Sequence, residues 1–194
     1  MQGSLLVNIW PQVQTSWLTK ALLVVLGTIL LTLSAKLKVP FYPVPMTMQV
    51  CVVLALGLAL GFRLALATAL LYLIEGAAQL PVFAGTPERG LGLAYMMGPT
   101  GGYLLGYVFA AAGVGMLADR GWGRHWAKAI LAGLIGLAII YVPGIVWLGT
   151  VIGWYKPVLE LGLMPFILGD LVKVLVAALA VSGIWQFTSA QPRG

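Results

Sequence analysis

The chain has 194 residues, of which 61% are hydrophobic and only 8% are charged, and its mean hydropathy is +1.01. A water-soluble domain typically carries about 25% charged residues, so this composition excludes a soluble globular protein. The net charge of +6 comes from Lys and Arg residues scattered between apolar runs. This pattern is typical of membrane topology rather than of nucleic-acid binding, so we expect membrane lipid and no nucleic acid as a partner.

Six apolar segments are predicted to form membrane-spanning helices, because a span needs about 20 mostly apolar residues. They cover residues 17–35, 47–60, 62–78, 99–118, 127–149 and 164–187. The first segment is too long for the apolar core of a signal peptide, so we interpret it as a retained helix. Residues 60–63 are predicted to form a tight turn. The predicted fold class is therefore all-α: one polytopic membrane domain, residues 1–194, built as a six-helix bundle.

Three loops are predicted to lie outside the cell, at residues 36–46, 79–98 and 150–163. They are rich in proline, glycine and aromatic residues, which favours structured extracellular loops over flexible tethers. Their aromatic residues are also typical of an interfacial belt. If all three loops converge on one face, they could cover a pocket that opens outward.

The distribution of basic residues predicts the orientation in the cell membrane. One side of the predicted topology holds six Lys and Arg residues and the other holds four: Lys20, Arg63, Arg120, Arg124, Lys128 and Arg193 against Lys36, Lys38, Arg89 and Lys156. Cytoplasmic loops carry the excess of positive charge. We therefore expect both termini in the cytoplasm.

Asp170 and Lys173 are the two charges that fall clearly inside a predicted span. Their spacing of three places them on one helical face, and Asp170 lies about 9 Å beyond Met164 along the axis. Each such charge costs about 2.5–3.5 kcal/mol to insert. The pair could serve only as a neutralised structural link, but buried pairs are often no more stabilising than apolar residues. We interpret it as a binding site, beside which Gly169 leaves room for a ligand.

Enzyme signatures are absent from the sequence, which contains neither a G-x-x-x-x-G-K-[ST] phosphate loop nor a G-x-S-x-G elbow. One His and one Cys cannot make the usual metal site. The residues predict a binder or carrier that is not an enzyme and needs no cofactor. A membrane enzyme using Asp170, or a purely structural subunit, remains an alternative. Glu75, near the end of the third segment, is predicted to lie at the external interface.

Four motifs occur in order along the chain: PVPMTMQ at residues 43–49, LPVFAG at 80–85, GPTGGYL at 98–104, and Pro165-Phe166 followed by Gly169-Asp170 and Lys173. Together they resemble the BioY family, the biotin-specific substrate-binding subunits of energy-coupling-factor (ECF) transporters. The resemblance covers about residues 17–187. It implies six helices, an external biotin site and transport powered by other subunits. The implied partners are a transmembrane coupling subunit and a pair of ABC-type ATPases. Whether the chain also forms a homo-oligomer is left open by the sequence.

The resemblance also implies roles for particular residues in holding biotin as a transported ligand. Asp170 would accept hydrogen bonds from the ureido N–H groups, and Lys173 would donate to the ureido oxygen or to the carboxylate. Thr47 and Gln49 would add hydrogen bonds. Four aromatic residues would form the walls of the pocket: Phe83, Tyr95, Tyr103 and Tyr141. Another vitamin of similar size is the alternative ligand.

Overall fold

A computed structural model describes residue 5 and residues 16–40, 42–85 and 91–190. Eight α-helices lie within the ranges 16–40, 42–85 and 91–190: α1 (Trp17–Lys36), α2 (Gln49–Leu60), α3 (Phe62–Ala77), α4 (Gly92–Met96), α5 (Gly101–Asp119), α6 (Trp126–Ile152), α7 (Val158–Gly162) and α8 (Met164–Ala190). A short 3₁₀ turn, Trp122–Arg124, precedes α6. Two strands of two residues, β1 (Lys38–Val39) and β2 (Met46–Thr47), pair antiparallel. The fold is therefore all-α apart from this one ribbon in the described residues.

The six long helices lie where the sequence predicts them, with ends shifted by at most three residues. Four stretches of the described chain are long and apolar enough to cross a membrane: α1, α5, α6 and Val158–Ser189, which contains α7 and most of α8. The helix α2 is apolar but has only 12 residues, so it is about 18 Å long, short of the ~30 Å hydrocarbon core. The prediction of a polytopic helical membrane protein is confirmed. That α2 and α3 each cross the bilayer stays a prediction.

The turn predicted at residues 60–63 joins α2 to α3 through a single residue, Gly61. Its φ of +75° is a left-handed conformation, which glycine adopts without steric cost. The backbone N–H of Phe62 at the start of α3 donates to the carboxylate of Asp119, at 3.1 Å. A carboxylate at a helix N-terminus satisfies a free donor and complements the helix dipole. The end of α5 therefore stabilises this turn.

Close backbone contact holds α5 against α6. A Cβ atom on Gly102 would lie 2.3 Å from the carbonyl oxygen of Pro143, and one on Gly106 would lie 2.7 Å from that of Ile140. Small residues four apart let helices approach closely in lipid, where water does not drive them together. These distances show that the glycine pair lets α5 and α6 pack closely.

The first helix, α1, lies at the edge of the bundle. It begins after Ser16, whose hydroxyl accepts a hydrogen bond from the Thr19 N–H at 3.3 Å. Five of its residues are buried: Gly27, Thr28, Leu31, Ser34 and Ala35. Its other face is exposed and apolar. Thr28 donates to Glu75 of α3 at 3.0 Å. Glu75 is thus half-buried between two helices near the end of α3. Its place at the external interface stays a prediction.

The helices alternate in direction, so that α2, α5 and α8 begin at the same end of the bundle at which α1, α3 and α6 finish. The loops around residues 37–48, 78–100 and 153–163 lie at this end. The opposite end carries five basic residues of the described chain: Lys20, Arg63, Arg120, Arg124 and Lys128. Arg124 there lies 4.9 Å from the ring of Trp185. Charge is therefore distributed asymmetrically between the two ends.

Candidate ligand-binding site

A pocket lies at the loop-bearing end of the bundle, between α2, α5, α6 and α8. It is lined by residues of these helices and of two loops: Val44, Pro45, Met46, Thr47, Gln49, Val50, Ala84, Thr100, Tyr103, Tyr107, Ile140, Tyr141, Phe166, Asp170 and Lys173. Its cavity volume is about 30 Å³, which holds a water molecule and is well below the ~300–1,000 Å³ of a typical small-molecule site. A bigger ligand must therefore displace part of the wall.

The charged centre of the pocket is the Asp170 carboxylate. Lys173 donates to its Oδ1 atom at 2.6 Å, and the Tyr141 hydroxyl donates to its Oδ2 atom at 2.7 Å. All three residues are buried, with Asp170 and Lys173 at only 4% and 6% relative exposure. The spacing predicted that Asp170 and Lys173 meet, and the structure confirms it. Both side chains also face the cavity, so they are not sealed against their neighbours.

A chain of hydrogen bonds joins Thr47 and Gln49 to the loop after α3. The Thr47 hydroxyl lies 3.3 Å from Gln49 Oε1 and accepts from the Gln49 backbone N–H at the same distance. Gln49 Nε2 donates to the Tyr72 hydroxyl at 2.7 Å, and Tyr72 donates to the Val82 carbonyl at 3.0 Å. Both predicted polar residues line the pocket. Their positions depend on Tyr72, which the sequence did not single out.

The four predicted aromatic residues fall into two groups. Tyr103 and Tyr141 line the pocket, with ring centroids 6.5 Å apart in a T-shaped arrangement. Tyr103 also donates to the Gly162 carbonyl of α7 at 2.8 Å. Phe83 and Tyr95 stack on each other at 5.3 Å and are not among the lining residues. They lie behind Ala84 as support for the wall.

Several lining residues were not predicted. Tyr107 lies one helical turn after Tyr103 on α5, so the spacing of four could have indicated it. Met46, on β2, packs beside Gly169: a Cβ atom at position 169 would lie 3.2 Å from the Met46 sulfur. The interpretation that Gly169 leaves room for a ligand is therefore corrected, because Met46 fills that space. Phe166 belongs to the fourth motif of the sequence, but no role in the pocket was predicted for it.

The three predicted loops differ in their relation to the pocket. The first contributes Val44 to Thr47, and the second contributes Ala84. Residues 86–90 of the second loop lie outside the described residues, as do Phe41 of the first loop and Arg193. The third loop supplies no lining residue, but two of its carbonyl oxygens accept hydrogen bonds from lining residues: Gly162 from the Tyr103 hydroxyl at 2.8 Å, and Leu163 from the Phe166 N–H at 3.0 Å. Two loops, rather than three, therefore form the described cover.

A bundle of apolar helices with a buried, polar pocket beneath loops at one end defines a membrane-embedded ligand-binding protein. A sequence profile of the BioY family matches residues 8–190. The chain therefore belongs to the BioY family.

Relatives in several organisms share this sequence along most of their length. A protein of Pyrococcus horikoshii named "Probable biotin transporter BioY" is 40% identical over 159 residues, which are 81% of this chain and 90% of that protein. The "Biotin transporter BioY" of Thermotoga maritima is 36% identical over 152 residues, 78% of this chain and 87% of its own. A "Biotin transporter BioY" of Rhizobium etli is 37% identical over 146 residues, 72% and 76% of the two chains.

One solved structure shares the fold. It is the crystal structure of the S-component for biotin from an ECF-type ABC transporter, with a TM-score of 0.73 and 22% identity. The match covers 87% of this chain and 92% of that one. The arrangement of helices described above is therefore that of an ECF S-component.

Proposed function

We propose that this chain is the biotin-binding subunit of a vitamin uptake transporter and is not itself an enzyme. The observation that carries the proposal is the buried cluster of Asp170, Lys173 and Tyr141, which faces a cavity inside an apolar bundle. Intramembrane charges are costly and are retained at functional sites. The names of the relatives and of the structural neighbour, all concerned with biotin, indicate the ligand.

The polar groups of the pocket match the ureido ring of biotin, which has two N–H donors and one carbonyl acceptor. A carboxylate has about four acceptor positions, and two of those on Asp170 are used by Lys173 and Tyr141. The remaining positions suit the ureido N–H groups. An ammonium group has three donors, so Lys173 can bind Asp170 and also the ureido oxygen or the carboxylate of biotin. Charge-assisted bonds of this kind are the stronger ones.

The rest of the pocket suits the apolar part of the ligand. A small-molecule site is usually mostly apolar with a few placed polar groups. Aliphatic and aromatic side chains surround the polar cluster: Val44, Pro45, Val50, Ile140 and Phe166. The thioether ring and the aliphatic chain of biotin would pack against these residues.

Transport itself would need partners. The sequence contains no phosphate loop, so a coupling subunit and a pair of ABC-type ATPases would supply the energy. The end opposite the pocket carries five described basic residues, so by the positive-inside rule we expect it to lie in the cytoplasm. The pocket then faces outward. Biotin would be captured from outside and released inward only when the ATPases act.

Equilibrium binding of labelled biotin to the purified chain in detergent tests the proposal. We expect saturable binding of one biotin per chain, displaced by unlabelled biotin and not by thiamine or riboflavin. Displacement by one of those vitamins instead would assign the pocket to another ligand. Recovery of chemically altered biotin would favour a membrane enzyme that uses Asp170 as acid or base.

A further inference from the structure

The segment 81–84, here called the carbonyl loop, is held by side chains rather than by a helix or strand. It contributes Ala84 to the pocket wall. Its four successive carbonyl oxygens all accept a hydrogen bond from a side chain: Pro81 and Phe83 from Lys36 at 2.6 and 2.7 Å, Val82 from Tyr72 at 3.0 Å, and Ala84 from Lys38 at 2.7 Å. Three of these four bonds come from two ammonium groups.

The two lysines lie far from the carbonyl loop in sequence. Lys36 is the last residue of α1, and Lys38 is the first residue of β1. Lys38 pairs with Thr47 across the ribbon, and Thr47 lines the pocket. The lysines therefore join the wall formed by residues 44–47 to the wall formed by Ala84. These two walls are the loop-borne part of the pocket.

Entry of a ligand requires one of the walls to move, because the cavity is only about 30 Å³. The helical walls are packed closely, as the contacts of Gly102 and Gly106 with α6 show. The carbonyl loop buries the side chains of Val82, Phe83 and Ala84, but its carbonyl oxygens are held by lysine bonds that are exposed or only partly buried. Because the lysines are exposed, water can replace their bonds when the loop opens.

We propose that Lys36 and Lys38 are positioning residues that latch the carbonyl loop to the β1–β2 ribbon and so keep the pocket closed over its ligand. Opening breaks the three ammonium–carbonyl bonds and separates Ala84 from the wall at residues 44–47. The identity of the ligand rests on the proposed function, whereas the latch itself does not. Neither lysine touches the ligand in this scheme.

The kinetic test compares dissociation of labelled biotin from the wild-type chain and from the Lys36→Met/Lys38→Met variant in detergent. Methionine keeps most of the side-chain volume and removes the donors. We expect dissociation to be about tenfold or more faster, the effect of losing charge-assisted bonds, and association not to be slower. The Lys36→Arg variant keeps hydrogen-bond donors at this position, so biotin should dissociate from it as slowly as from the wild-type chain. Lys156→Met, which removes an exposed lysine at the same end of the bundle, should leave both rates unchanged.

Hydrogen exchange of the backbone amides at residues 80 and 82–85 tests the latch without any ligand. We expect about tenfold faster exchange in the double variant and no change in Lys156→Met. Unchanged exchange in the double variant overturns the latch, even if biotin binds normally. Faster exchange in a chain that binds no biotin supports the latch and overturns the proposed function. If the double variant does not fold, Lys38→Met alone must still accelerate exchange, and the proposal is wrong if it does not.

Discussion

The hydroxyl of Tyr141 on α6 donates a 2.7 Å hydrogen bond to the carboxylate of Asp170 on α8. This bond connects two helices inside the bundle and orients the acid toward the cavity. Because Lys173 donates to the other carboxylate oxygen, both oxygens of Asp170 have a fixed hydrogen-bond partner. A carboxylate oriented in this way is ready to accept from a ligand without rearranging, which lowers the cost of binding.

Replacing Asp170 with asparagine should weaken biotin binding at least tenfold, or about 1.4 kcal/mol. The amide is close in size but loses the charge that strengthens the bonds to the ureido group and to Lys173. Equilibrium binding in detergent measures the effect. The matched control is Asp119→Asn, at the far end of the bundle, which should bind as the wild type does. Unchanged affinity of folded Asp170→Asn protein would remove this residue from the site.

The Tyr141→Phe variant isolates the contribution of one hydrogen bond to the acid. Bonds to charged groups contribute about 1.5–3 kcal/mol, so we expect affinity for biotin to fall by about tenfold to a hundredfold. Tyr155→Phe serves as the control because Tyr155 is 86% exposed. A Tyr141→Phe protein that binds biotin as tightly as the wild type would show that Lys173 alone suffices to orient Asp170.

The pair Gln49 and Tyr72 should show coupled effects on stability. Tyr72→Phe leaves the buried Gln49 amide without its 2.7 Å partner, at a cost of about 1–3 kcal/mol in the free energy of unfolding. The double variant Gln49→Leu/Tyr72→Phe removes both polar groups, so its loss should be smaller than the sum of the single losses. Denaturant unfolding in detergent measures all four proteins. Additive losses would mean that the two residues do not depend on each other.

Helix packing can be tested with two glycine-to-alanine changes on different helices. A Cβ atom at Gly106 would lie 2.7 Å from the Ile140 backbone, whereas one at Gly183 would meet nothing within 4 Å. Overpacking costs about 1–3 kcal/mol, so Gly106→Ala should lower the thermal unfolding temperature. Gly183→Ala should leave it unchanged or raise it, because alanine favours helix. Equal behaviour of the two variants would contradict the close α5–α6 contact.

The positions of the long helices could be predicted from the sequence because long apolar runs indicate them. The meeting of Asp170 with Lys173 could be predicted from their spacing of three on one helix. The bond from Tyr141 to Asp170 spans 29 residues, and no spacing rule connects side chains on different helices. The family resemblance placed Phe83 and Tyr95 in the wall, whereas in the structure they stack on each other and do not line the pocket. The contacts of Lys36 and Lys38 were invisible because they go to backbone carbonyls, which have no sequence signature.

The carbonyl loop is recognised through groups that every amino acid possesses. Three of its four side chains, Val82, Phe83 and Ala84, are nevertheless buried, so side-chain packing also restricts this segment. We therefore expect evolution to tolerate change at the exposed Pro81 and to conserve Lys36, Lys38 and Tyr72, whose side chains bind the carbonyl oxygens. The backbone conformation of this segment therefore depends on residues that are distant from it in the sequence.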